Sequence, residues 1–551
     1  MDYNKLAELL LPQVNKNPED YEKIYPPRNL PEGAKVTRLG PSPTGFIHLG
    51  NLYGAFVDER LAHQSGGTFY LRIEDTDDKR EVEGAVEAII SSLEFFDVKF
   101  DEGATMDGQE GEYGPYYQSE RTELYQTFAK LLLQRGQAYP CFCTEEELND
   151  IRSKQEELKE NPGYYGKWAK HRSLSMEEIE KRLAAGEPFV VRLKSQGNHD
   201  VAEEDIRTFS IEDGIRGTLT MPENNQDIVI LKANGIPTYH FAHVIDDHFM
   251  RTTHVVRGEE WLSSLPIHVE LFNTLGWDMP IYCHTAQLMK LEDGNRRKLS
   301  KRKDPELSLD YYRSEGYHPK AVREYLMTIL NSNYEEWRIE NPDEPLDNFQ
   351  FTVEKMSSSG TLFDLNKLMD ISKDVLAKIS ATELCQFMTD WAEAYRKELA
   401  PLFKENQEYL TKILDLGRTG NKPRKDLVYA SQIFEFISYF YDDYFVREDD
   451  YPENVSKEDA QSILKAYLSS YNHQDDQTQW FDKIREIATN NGFAAKPKDY
   501  KKNPELYKGH VGDVSTVIRI AVMGRSTSPD IWEIQQILGE EKTIERIKNV
   551  L

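Results

Sequence analysis

At 551 residues the chain is too long for one hydrophobic core, and 39% hydrophobic residues with seven Trp, 30 Tyr and 24 Phe exclude a disordered polymer. Four cysteines without regular spacing exclude a disulfide framework, and no apolar run approaches the roughly 18 residues of a spanning helix. A net charge of −28 excludes a uniformly basic nucleic-acid coat, but it says nothing of the local field in a groove, so clustered Lys and Arg still carry information.

The predicted elements open with a helix around Leu6–Leu11 and a turn-rich stretch through Pro26-Pro27 and Pro31, read as a packing extension over residues 1–34. The start is acidic and mixed (Asp2, Glu8, Glu19, Asp20). It lacks the basic and apolar parts of a secretion signal, so the expected compartment is the cytoplasm. A strand, Lys35–Leu39, then runs into the turn cluster Gly40-Pro41-Ser42-Pro43-Thr44-Gly45, a helix from about His48, and a second strand, Thr68–Ile73, ending at Glu74. Strand, helix, strand at this spacing predicts a parallel sheet.

A charged, amphipathic block follows over 119–235, with helices Thr144–Lys159 and Ser175–Ala185 and a strand Phe189–Leu193, and reads as an insertion. The sheet pattern resumes with a helix Tyr239–Met250 and a strand His254–Val256, and a basic loop spans Asn295–Asp304. Beyond Ser357 the chain is helical: Leu427, Ala430, Ile433, Phe434, Ile437, Phe440 and Tyr441 recur on one helix face. Near the end, Ser528-Pro529 is expected to cap a helix that stops at Gly539. The expected domains are 1–34, a parallel-sheet α/β domain over 35–118 and 236–290, the insertion 119–235, a linking region 291–356 with the basic loop, and a helical domain 357–551.

In an open parallel sheet, ligands bind outside the carboxyl ends of the strands. Pro41–Gly45, Glu74 and Arg257 with Glu259 all leave strands at such ends, so distant segments point into one crevice. Exposed amides at the start of a helix suit a phosphate, Gly50 leaves room for a base or ribose, and His48 can donate to a polyphosphate. The bland alternative is an ordinary strand-to-helix turn with a capping histidine. Arg296-Arg297-Lys298-Leu299-Ser300-Lys301-Arg302-Lys303 carries six basic residues in eight. It reads either as solvated surface or as a loop whose lysine stabilises charge at a phosphorus centre, a contact worth about 3 kcal/mol.

The stretch Pro41–Asn51, with His48-Leu49-Gly50-Asn51, resembles the first signature of the class I aminoacyl-tRNA synthetases, and Lys298-Leu299-Ser300-Lys301-Arg302 resembles the second. Leu71–Asp77, Tyr116–Arg121, Pro237–His240, Val256–Trp261 and Phe493–Ala495 are similar to segments of the bacterial glutamyl branch, and the similarity runs from about Val36 to Leu551. The resemblance implies a Rossmann-type catalytic domain, an inserted acceptor-binding domain, a stem-contact region and an all-helical anticodon-binding bundle. It implies activation of L-glutamate by ATP with Mg2+, transfer to tRNA(Glu), activation that waits for tRNA, and a monomer without membrane contact.

By the same resemblance, His48, Gly50, Lys298, Ser300, Lys301 and Arg302 do the catalytic work. Pro43, Thr44, Gly45, Asn51, His48, Gly50 and Lys301 hold ATP. Arg38, Gly40, Ser42, Glu74, Tyr239 and Arg257 hold glutamate, with Arg38 on the γ-carboxylate and Glu74 on the ammonium. The other reading of Glu74 and Arg38 is a structural ion pair. Gly40 stands where relatives often carry Ala, Asn51 replaces a usual Gly or Thr, and His243 stands where several carry Asn.

Two alternatives stay with the resemblance: charging of tRNA(Gln) as well as tRNA(Glu), and a glutaminyl-tRNA synthetase or silent RNA-binding paralogue. The helical C-terminus and Arg72-Ile73-Glu74-Asp75 argue against a glutaminyl enzyme, and intact His48, Gly50, Lys301, Glu74 and Arg38 against a silent one. Cys141, Cys143 and His171, with Trp168 near where relatives place a thiolate, stand one ligand short of a zinc tetrahedron, so two buried thiols are expected rather than structural zinc. RNA contacts are expected from Arg296–Lys303, from Arg418, Lys422, Arg424 and Lys425, and from Lys496–Lys508.

Overall fold

The computed structural model describes residues 1–45, 47–77, 82–199, 205–300, 302–418 and 423–551; Phe46, Lys301 and Lys422 lie outside the described residues. They form two compact units, Met1–Tyr311 with Arg323–Asp364, and Tyr312–Val322 with Leu365–Leu551.

The first unit is built on the expected parallel sheet. Strand Val36–Leu39 pairs with Thr68–Leu71, Val36 opposite Thr68, and Thr68–Leu71 pairs in turn with Glu102–Thr105. Gly108–Glu110 folds back antiparallel at the edge. His254–Gly258 and Ile281–Thr285 make a second parallel pair, tied to the first where Thr253 N–H donates to Val36 O at 2.9 Å. Every residue of Val36–Leu39 and Thr68–Leu71 is buried, which a parallel sheet covered on both faces requires. The insertion forms an antiparallel sheet of Ala138–Cys141, Val190–Leu193 and Val229–Leu231, with a hairpin of Thr208–Asp213 and Gly217–Pro222. Its helices Glu145–Leu158 and Met176–Ala184 start at Thr144/Glu147 and Ser175/Glu178 capping boxes.

The N-terminal extension is part of the core. Helix Tyr3–Leu10 packs on helix Thr122–Gln134, with Leu6 and Ala7 wholly buried beside Leu124, Tyr125 and Phe128. Lys130 Nζ donates to Val14 O at 2.9 Å, and Arg28 grips Glu102 through both terminal nitrogens at 2.7 and 2.9 Å. Leu6→Ala removes buried methyls from a site with no route to collapse, and is expected to lower unfolding free energy by about 2–5 kcal/mol in urea titration.

Two expectations change. The basic stretch is not loop throughout: Asn295–Lys298 is a strand antiparallel to Leu288–Glu292, and Asp293-Gly294 makes the turn with φ of 51° and 79°. Two positive φ values are what a tight hairpin turn needs, and Asp-Gly supplies them at low steric cost. In the second unit the helix Ile531–Leu538 is capped by Asp530, not Ser528-Pro529: Asp530 accepts from Trp532 N and Glu533 N, while the Ser528 hydroxyl accepts from Arg519; beyond Gly539 a further helix, Glu540–Lys548, ends the unit.

The second unit is a helical bundle among the described residues. Leu427, Ala430, Ile433, Phe434, Ile437, Phe440 and Tyr441 are all buried, although the helix itself covers only Ala430–Ile437. No helix among the described residues is long and apolar enough to cross a membrane.

Candidate active site

The crevice forms where the sheet predicts it. Glu74 N donates to Pro41 O at 3.0 Å, so the two strand-end loops touch, and a backbone bridge joins His48 to Ser308 just beyond the basic loop. A cleft of about 190 Å3 on the Pro41–Asn51 turn is lined by Pro41, Ser42, Thr44, Gly45, His48 and Asn51, together with Ile89. His48 caps helix Leu49–Gln64 in extended conformation, and its N–H donates to Asn51 Oδ1 at 3.1 Å. Asn51 therefore shapes the helix start. A Cβ at Gly50 would come within 3.1 Å of His48 Nδ1, so glycine there lets the imidazole lie over the first turn. Pro43 is buried behind the cleft, where its carbonyl accepts from Val82 N at 3.0 Å.

Beside this cleft lies a buried set of charges whose pairing differs from the simplest reading. Glu74 and Arg38 are not partners. Arg72 donates to Glu74 Oε1 at 2.9 Å and to Asp247 Oδ1 at 2.8 Å, while Arg38 Nε reaches Asp247 Oδ1 at 3.3 Å. Behind them Asp246 accepts from Arg121, Gln118 and Tyr125 at 2.7–2.8 Å. Burial opposes the charge on Asp247, but Arg38 and Arg72 outweigh it and hold its carboxyl below the ordinary value. Burial raises Glu74 in spite of Arg72 and Arg38, so a cationic group on the open side of Glu74 would find a carboxylate short of compensation. Gly40 has a definite reason: a Cβ there would lie 2.4 Å from Glu74 Oε1. With alanine at position 40, Glu74 would have to sit elsewhere.

Arg257 is held differently. Its Nε donates to His284 Nε2 at 2.9 Å, its Nη1 lies 3.0 Å from His268 Nδ1, and its guanidinium stands 4.6 Å over the Tyr282 ring. Its Nη2 is buried and has no hydrogen-bond partner among the described residues. A buried donor of a charged group left in this way is costly unless a ligand completes it. Tyr239 stacks beside Trp261 and His243, and burial, with Glu74 near, pushes its hydroxyl up to about 12. His268, His240, Asp246, Asp247 and Arg121 escaped sequence reasoning. The one available signal was an unusual density of His and Asp on a helix, Tyr239–Phe249, whose apolar residues belong in the core.

The basic loop is ordered around one carboxylate. Asp304, 1% exposed, accepts from Arg297 at 2.6 and 2.8 Å and from Ser300 N at 2.9 Å. Those bonds, Arg297 foremost, hold its carboxyl well below the ordinary range. Leu299 is buried, and Lys298 and Arg302 are exposed on either side of Ser300. Lys301 lies outside the described residues.

Other groupings come out otherwise than expected. Arg418 is turned inward, its Nη2 donating to Leu376 O at 2.7 Å and to Ile379 O. Arg424 pairs with Asp426 and Lys425 with Asp374, which leaves Lys422, outside the described residues, from that expected RNA cluster. Helix Pro497–Lys502 by contrast exposes Lys498, Lys501 and Lys502. Cys141 and Cys143 pack in a small hydrophobic cluster with Tyr139, Ile151 and Tyr164, and they converge with His171, ligand atoms within 4.8 Å of one another. Tyr164 Oη lies 3.4 Å from both sulfurs, hydrogen bonds from Cys143, His171 and Tyr164 pull the Cys141 thiol below its ordinary value, and His171 Nδ1 accepts from Phe142 N at 3.1 Å. Trp168 donates to Glu160 instead. Among the described residues this grouping supplies three candidate donors, one fewer than a closed zinc tetrahedron uses.

Comparison with known proteins gives a consistent picture. A family profile described as tRNA synthetases class I (E and Q), catalytic domain, matches residues 35–370, and one described as anticodon binding domain matches residues 381–551. The glutamate–tRNA ligase of Acetivibrio thermocellus is 66% identical over the whole of both chains, and that of Clostridium perfringens strain SM101 is 48% identical over the whole of both. Among solved structures, a glutamate tRNA ligase from Elizabethkingia meningosepticum in complex with its amino acid is similar with a TM-score of 0.71 and 28% identity, over 94% of this chain and 99% of that one.

Proposed function

This chain belongs to the class I synthetases that serve glutamate and glutamine, and from that footing we propose how its pocket attaches L-glutamate to tRNA. The chain is a glutamate–tRNA ligase by its full-length likeness to such enzymes. The α-carboxylate of glutamate attacks the α-phosphorus of ATP, pyrophosphate leaves, and the 2′-hydroxyl of the terminal adenosine of tRNA(Glu) then displaces AMP from the activated carbonyl.

The observation that carries the residue roles is the asymmetry between the two pocket arginines. Arg38 already faces Asp247, whereas Arg257 keeps a buried Nη2 without a partner. We assign the γ-carboxylate to Arg257, with Arg38 alongside, and the ammonium to Glu74. Ser42, Thr44, Gly45 and His48 line the nucleotide cleft, and Lys301 with Ser300 closes on the phosphates from the loop that Asp304 organises. Little covalent work falls to these groups; they orient the two reactants and offset charge as it builds at phosphorus. Mg2+ accompanies the triphosphate, held by phosphate oxygens rather than a protein cage. Glutamine would meet Arg257 with a neutral amide, and a buried guanidinium without its counter-charge costs about 3 kcal/mol or more, roughly 10²-fold in discrimination.

ATP–pyrophosphate exchange tests this reading. Exchange is expected with glutamate in the presence of tRNA(Glu), to fall away without tRNA or with tRNA(Gln), and to be absent with glutamine. Equal exchange with glutamine would overturn the assignment of Arg257, and charging of tRNA(Gln) would show a broader acceptor range.

A further inference from the structure

The protein atoms around Arg257 specify their own protonation. A guanidinium has only donors, so His284 Nε2 and His268 Nδ1 both accept from it. A neutral imidazole that accepts at one nitrogen carries its proton on the other. His284 therefore donates from Nδ1 to Asp213 Oδ2, 2.6 Å away, and His268 donates from Nε2 to His240 Nδ1, 3.0 Å away. His243 stacks on His268 with ring centroids 4.4 Å apart; its Nδ1 lies 3.1 Å from Asp247 Oδ2 and 3.4 Å from Arg38 Nη2, and its Nε2 lies 3.1 Å from the Tyr282 hydroxyl. His268 and His284 are wholly buried. Burial, reinforced by Arg257, keeps these rings neutral, and His240 is brought down to about 4.

Arg38 thus meets a carboxylate directly, while Arg257 meets only neutral acceptors, with Asp213 one imidazole away. Resting on the assignment of Arg257 to the γ-carboxylate, we propose that His268 is a positioning residue that orients Arg257 without neutralising it, with His240 holding the His268 tautomer. An aspartate in the same place would fix the guanidinium equally well. It would also cancel the charge that selects the acidic substrate.

The test compares three substitutions in glutamate-dependent ATP–pyrophosphate exchange with tRNA(Glu), with melting curves to establish folding. His268→Asn places an amide oxygen where Nδ1 stood, and its KM for glutamate is expected to stay within about 3-fold of the native value. His268→Leu removes the acceptor and is expected to raise that KM about 10–100-fold, the usual worth of a hydrogen bond to a charged group. His268→Asp, isosteric with the asparagine variant, is expected to fold and to raise it about 100-fold or more. The KM for ATP should hold still in all three. A merely structural role predicts that Asn and Asp behave alike, and that result would overturn the proposal. So would a KM for ATP that moves in step with glutamate, or an Asp variant that fails to fold while Asn folds. Arg257→Ala separates the two levels: an unchanged glutamate KM there would remove the underlying assignment, whereas a large rise combined with indifferent His268 variants would remove only the positioning role.

Discussion

Alanine at Lys301 is expected to slow formation of glutamyl-adenylate about 10²–10³-fold while glutamate and ATP still bind. The expectation rests on where its neighbours are held. Ser300 donates its N–H to Asp304 and accepts from Asp304 N at 3.0 Å, and Arg297 clamps the same carboxylate. The bridge between His48 and Ser308 keeps this turn beside the nucleotide cleft. On the proposed role, a lysine following Ser300 would offset charge as pyrophosphate is displaced, more in the transition state than before it, which is why the loss is expected on kcat. Single-turnover adenylate formation measures it directly. A variant with near-native turnover would show that the charge is supplied elsewhere in the loop.

Asp247→Asn is expected to lower unfolding free energy by about 3–5 kcal/mol and to abolish measurable glutamate saturation at ordinary concentrations. The change is isosteric, so packing is preserved and only charge is lost. Asp247 is wholly buried and accepts from both Arg38 and Arg72. Without it two buried guanidiniums face one another, with Glu74 hydrogen-bonded to Arg72 and Asp246 3.9 Å from Arg72 Nε as the carboxylates left beside them. Glu74 would then be drawn toward the arginines and away from the ammonium it is assigned. Urea unfolding and the glutamate KM report the two effects separately. Loss of stability with an unchanged KM would confine Asp247 to a structural role.

How much of this could be read in advance divides along clear lines. The cleft at Pro41–Asn51 was legible because it is local: a strand, a Gly/Pro turn and a helix start within a few residues, and amides at such a start suit phosphate wherever the rest of the chain goes. Glu74, at the next strand end, was legible by the same rule. The hairpin before Lys298 could have been found from Asp293-Gly294, a two-residue signal obscured by the charge run beside it. In the basic run at Arg418, Arg424 and Lys425, a cluster of positive charge in sequence does not say which members cap a helix, as Arg418 does, or meet a nearby Asp, as Arg424 does. Gly40 became intelligible only when Glu74 was seen at the distance its Cβ would violate.

By itself the sequence determined the parallel α/β sheet, the helical C-terminal bundle and the Gly/Pro turn that opens the helix at His48. Propensity, periodicity and turn chemistry act over a few bonds, so they are written in order along the chain. Only the tertiary structure decided that Arg38 belongs to Asp247, 209 residues away, that Arg121 belongs to Asp246, 125 away, and that Arg257 is left with neutral imidazoles. Ionisation and hydrogen bonding are settled by neighbours within about 3 Å and by the exclusion of water, and both come into being when remote segments close on one another.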